Sequence, residues 1–146
     1  MDYNFYLAGE ASFENTIARL VDKICALGKR TIVYCEDAFF LSVLDDVMWT
    51  FSTNSFIPHA KDDSQYANEQ VVLLTQKTEN INNANILMLV NNFGLDVWYA
   101  NNFERIILIF QEKFKKNAEL CFSDLKKNEQ NVNYWEQTPK GWSKVV

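Results

Sequence analysis

The chain has 146 residues, is 48% hydrophobic and carries a formal charge of -5. That length fits one domain with a core of its own, and no Gly-, Pro- or Ser-rich stretch marks a linker, so a single domain over 1–146 is expected. The acid excess argues against a protein that wraps DNA or RNA by itself, because neutralising phosphates needs a surplus of Lys and Arg.

Asn4 to Ala8 (NFYLA) reads as a first strand ending at Gly9. Phe13, Ile17, Leu20, Val21, Ile24 and Leu27 then recur at helical spacing, with Ser12 as N-cap and Gly28 as the stop. Thr31 to Cys35 (TIVYC) is β-branched and aromatic, as a buried strand is. From Asp37 the helical period returns, with Phe40, Leu44, Val47, Met48 and Phe51 on one face and Asp45 and Asp46 mostly on the solvated one. Lys61 to Gln70 is polar and reads as a loop, and Val71 to Leu74 as a strand.

Ile86 to Val90 and Arg105 to Phe110 are apolar runs without alternation, the pattern of strands covered on both faces. Asn92 to Asn102 between them fits a short helix or an irregular crossover equally well. Phe114, Ala118, Cys121, Phe122 and Leu125 then mark an amphipathic helix over Gln111–Asn128, whose outer face holds Lys113, Lys115, Lys116, Lys126 and Lys127. Val132 to Gln137 reads as an edge strand. Alternation of this kind predicts an α/β fold, three-layered and Rossmann-like, with a mainly parallel sheet and helices on both faces.

Cys25, Cys35 and Cys121 are odd in number and far apart, which fits reduced thiols and a cytoplasmic protein. The N-terminus lacks the features of a signal peptide or membrane span. The first turn, LAGEASFEN, has one glycine, and no phosphate-binding loop or nucleophile elbow occurs, so no cofactor and no metal are expected. An enzyme reading remains: a nucleotide-binding or metal-dependent hydrolase using Glu36, Asp37 and the single histidine, His59, with Asp45 and Asp46 as further cation ligands. Against it, Asp37 is simply a helix N-cap, and His59 is a loop histidine with no partner visible in the sequence.

Trp49 and Phe51 flank a helix end, and Phe56 follows a four-residue polar turn; three such groups cannot all point at one sheet, so an outward apolar patch is expected.

The motifs NFYL, GKRTIVYCED, LDDVMW, SFIPHA, FERIILIF and NYWEQTPKGW, and above all CED followed by W-x6-F-[IV]-P-H from Trp49 to His59, resemble the chi-subunit family of the bacterial DNA polymerase III holoenzyme. The resemblance runs over nearly the whole chain, and its ending is similar to the alphaproteobacterial branch. It implies a non-catalytic replisome accessory protein that links the clamp loader, through psi, to the C-terminal tail of single-stranded DNA-binding protein, with no direct nucleic-acid binding and no membrane contact. It implies a psi-contacting patch at Trp49, Phe51, Phe56, Ile57 and Pro58, and a tail site on the last helix at Lys115, Lys116, Phe122 and Lys126. A tail ending in Phe offers a ring for an apolar slot, a carboxylate for a cation and upstream Asp residues for further lysines. Glu119 stands where the family pattern has Arg and repels a carboxylate, which implies tail binding that is weakened, shifted towards Lys113, Lys116 or Lys127, or lost.

Overall fold

The computed structural model describes residues 1–9, 12–50, 59–62 and 66–146. β1 (Asp2–Leu7) leads to α1 (Phe13–Ala26), whose start is held by Ser12: its Oγ accepts from the Asn15 N–H at 3.3 Å and its carbonyl from the Thr16 hydroxyl at 2.9 Å. Phe13, Ile17, Leu20, Val21 and Ile24 form the buried stripe. Gly28 (φ +73°) supplies the left-handed residue that ends the helix, and its N–H donates to the Cys25 carbonyl at 2.9 Å. β2 (Thr31–Tyr34), buried along its length, precedes α2 (Ala38–Thr50).

β3 (His59–Lys61), β4 (Val72–Thr75), β5 (Ile86–Val90) and β6 (Arg105–Phe110) follow. A 3-10 turn over Glu112–Phe114 opens into α3 (Lys115–Lys127), and the chain ends in the hairpin β7 (Asn131–Thr138) and β8 (Gly141–Lys144). Among the described residues the strands form one sheet in the order β3-β4-β2-β5-β6-β1-β7-β8, parallel except for the β7–β8 pair. The fold is α/β and Rossmann-like, as the sequence predicts.

α1 and α2 cover one face, packing on Val33, Leu74, Met88, Ile107 and Ile109. α3 covers the other together with the crossover between β5 and β6, which contributes Leu95, Trp98 and Phe103 and contains a 3-10 turn over Asp96–Trp98. An irregular crossover carrying a buried Trp thus takes the place a helix would fill.

Three expectations need correction. β7 is not an edge strand: it pairs with β1 in parallel and with β8 in antiparallel, and β8 forms the edge. Its alternating burial comes from one face under α3 and one open face, a pattern that an edge strand shares. The polar stretch from Lys61 onward is not all loop, because Lys61 closes β3 and Ala67–Glu69 forms a 3-10 turn; elements of three residues are too short for periodicity to register. Finally, the apolar face of α2 holds Leu44 and Met48 buried and Phe40 and Val47 half-buried on the same core, as expected, but it also takes in the buried Leu41, which the expected face omits; Phe51 lies outside the described residues.

Candidate functional site

The first turns of α3, the middle of β7 and the end of β1 enclose a slot of about 450 Å³. Lys115, Glu119 and Phe122 lie along one face of the helix at i, i+4 and i+7, and all three line it. Leu7, Tyr134 and the Val145–Val146 segment form its apolar walls, and Glu136 stands at its border. Val145 is held there by backbone pairing, its N–H donating to the Tyr134 carbonyl at 2.8 Å.

The Phe122 ring meets Phe5 and Tyr134 edge-on, at centroid distances of 5.6 and 5.7 Å, so the slot floor is continuous with the core under α3. Lys126 Nζ sits 5.8 Å from the Phe122 centroid, within cation–π range. Lys116 is exposed and does not line the slot, since one residue along a helix turns the side chain by about 100°. Of the four residues selected for a tail site, then, Lys115 and Phe122 line one cavity, Lys126 touches its ring, and Lys116 faces elsewhere.

Burial governs the titrating groups here. Tyr134 is 8% accessible, and desolvation, reinforced by the charges of Glu119, Glu136 and Glu112, pushes its hydroxyl up to about 12. On α3, burial followed by the charge of Asp124 raises the Cys121 thiol to about 11. Both groups are neutral at physiological pH. The cysteines are free thiols, with Cys35 buried and Cys25 and Cys121 partly so.

On the other side of the molecule Trp49 is 55% accessible near the end of α2, its ring 4.9 Å from that of His59. Phe51, Phe56, Ile57 and Pro58 lie outside the described residues. His59 is no loop residue: it opens β3, is buried, and its Nε2 lies 3.0 Å from Asp45 Oδ1. Asp45 is therefore drawn out of the solvated face to which its spacing assigns it.

The residues of the hydrolase reading do not converge. Glu36 and Asp37 stand at the C-terminal ends of the strands, where a cavity of about 410 Å³ opens between Cys35, Asn91, Gln111 and Lys113. His59 pairs in register with Val72, and Val72 with Thr31, at the opposite ends, roughly 15 Å away along the strands. Asp37 Oδ1 accepts from the Phe39 and Phe40 N–H groups at 3.0 and 3.2 Å, as the cap of α2. Glu36 Oε1 accepts from Asn92 Nδ2 at 2.8 Å. Asp45 lies two helical turns beyond Asp37, about 12 Å along α2. Among the described residues no group of three or more His, Cys, Asp or Glu side chains is gathered as metal ligands would be. A further cavity of about 660 Å³, between Gly9, Arg19 and the β7–β8 hairpin, involves none of the residues selected from the sequence.

Sequence reasoning missed Leu7, Ser123, Tyr134 and Glu136 as slot residues and Asp45 as the partner of His59. The alternation in β7 does put Tyr134 and Glu136 on one face, but only the β1–β7 pairing brings that face under α3.

Residues 1–133 match the family described as "DNA polymerase III chi subunit, HolC". The chain is also 26% identical over 154 residues to "Probable DNA polymerase III subunit chi" of Rickettsia prowazekii (strain Madrid E), an alignment that covers 99% of this chain and 92% of that protein. With the family matched over nearly all of its length, the chain belongs to the chi-subunit family of DNA polymerase III, accessory subunits of that polymerase.

Proposed function

We propose that this chain is a non-catalytic adaptor of the replisome: it holds the C-terminal tail of single-stranded DNA-binding protein in the α3–β7 slot and engages psi, or another clamp-loader subunit, through the patch around Trp49. The observation that carries the reading is the meeting of Lys115 and the Phe122 ring in one cavity with apolar walls. A peptide that ends in Phe presents a ring and a carboxylate together, and the slot offers an apolar lining beside an ammonium group. Upstream acidic residues find Lys126 at the ring and Lys116 on the flank of the helix. Glu119 and Glu136 border the same slot, so the charge balance favours a short, terminal contact over a long acidic one.

The second face rests on the exposure of Trp49, since a large indole at a helix end is the kind of anchor on which partner helices seat. Phe39, also exposed, stands at the opposite end of α2, about 15 Å along the helix, and is not part of this patch.

Thermal denaturation separates this reading from the hydrolase alternative. A saturating tail peptide ending in Phe raises the Tm of the chain, and Mg²⁺ with nucleotides leaves it unchanged. A shift with nucleotide and none with peptide would reverse the assignment.

A further inference from the structure

Tyr134 carries an unexplained group. Its ring is fixed on three sides, stacked on Phe5 at 6.1 Å and edge-on to Phe110 and Phe122, yet its hydroxyl, buried from solvent, has no hydrogen-bond partner among the described residues. Leaving a buried hydroxyl unsatisfied is costly, and of the five such side-chain atoms among the described residues only that of Tyr134 belongs to a residue of the slot. The same residue lines the slot that holds Lys115 and Phe122.

We infer that the Tyr134 hydroxyl is a ligand-reading group: it donates a hydrogen bond to the free carboxylate of a peptide whose terminal aromatic ring enters the slot, with Lys115 supplying the charge. This rests on the proposed tail-binding role and adds to it the residue that recognises the terminus. The hydroxyl keeps its proton far above neutral pH, so it acts as a donor and not as an anion. The site then consists of apolar walls from Leu7, Phe122 and Val145, one ammonium and one buried O–H donor. That set suits a ring followed by a carboxylate, and a C-terminal amide loses the charge that both polar groups address. Glu119 and Glu136 line the same slot and their charges reach the Tyr134 hydroxyl, so a carboxylate is held there against their repulsion by the Lys115 ammonium and the O–H donor together.

The test is a calorimetric titration of the chain and its Tyr134→Phe variant with two short peptides that end in Phe, one with a free carboxylate and one amidated. Tyr134→Phe keeps every ring contact and breaks no hydrogen bond among the described residues, so the variant folds, with an unchanged or higher Tm. The expected result is that the variant binds the free-acid peptide about five- to tenfold more weakly and loses clearly less on the amide, whose carbonyl is only a neutral acceptor. Equal affinity of parent and variant for the free acid, or an equal loss on both peptides, overturns the role given to the hydroxyl while leaving tail binding in place. Failure of the parent chain to bind either peptide overturns the tail-binding reading as well.

Discussion

Single residues hold this structure in ways that local sequence does not announce. His59 and Asp45 are fourteen positions apart, one opening a three-residue strand and one on a helix, and they meet at 3.0 Å in a largely closed environment. Removing the imidazole leaves a gap beneath Trp49 and takes a partner from Asp45, so His59→Ala should lower the unfolding free energy by about 2–3 kcal/mol. Urea denaturation reads this directly; a change under 0.5 kcal/mol would mean the pair contributes no stability. The raised thiol of Cys121 makes a second, opposite-facing prediction. It stays protonated in the folded chain up to about 11, whereas the unfolded chain loses that proton near 9. The stability it contributes is complete below pH 9 and is lost as pH rises through about 11. Urea midpoints should therefore hold steady from pH 7 to 9 and fall beyond it, with a shallower fall in Cys121→Ala. Tyr134 steepens the fall further, through pH 10 to 12.

Elements were legible where their pattern was long and their burial uniform. The run Ile86–Val90 is β5 to the residue, and the Phe13 to Ile24 stripe with Ser12 and Gly28 at its ends defines α1, because a cap and a 3.6-residue period are local signals. Ser12→Ala should accordingly cost about 1 kcal/mol in the same denaturation assay, since the Asn15 N–H loses its acceptor. The candidate site was legible only by half. Lys115 and Phe122 share a helix face that spacing alone reveals, but Tyr134 joins them through a parallel β1–β7 pairing between the two ends of the chain. The reading of β7 as an edge failed for another reason, the short β8 that pairs on its outer side. The slot and the core share Phe122, which separates the two mutations that test the site. Phe122→Ala should cost about 2 kcal/mol of stability as well as affinity, because its ring packs on Phe5 and Tyr134. Lys115→Ala, on an exposed side chain, should stay within about 0.5 kcal/mol of the parent while weakening peptide binding at least tenfold.

Across the whole molecule the sheet acts as a spacer. The slot lies by β1 and β7, while Trp49 lies by β3 at the far edge, so most of the eight strands separate the two faces. In the proposed adaptor role, partners held at these two faces would be gripped at once without touching each other. The net charge of -5 is compatible with that role, because a protein that grips another protein's tail has no requirement for a basic surface. The most direct measurement is the binding of the immobilised chain to intact single-stranded DNA-binding protein and to a form lacking only its terminal Phe. The intact protein should bind and the truncated form should lose at least tenfold in affinity; equal binding of the two forms, or none of either, would contradict the account.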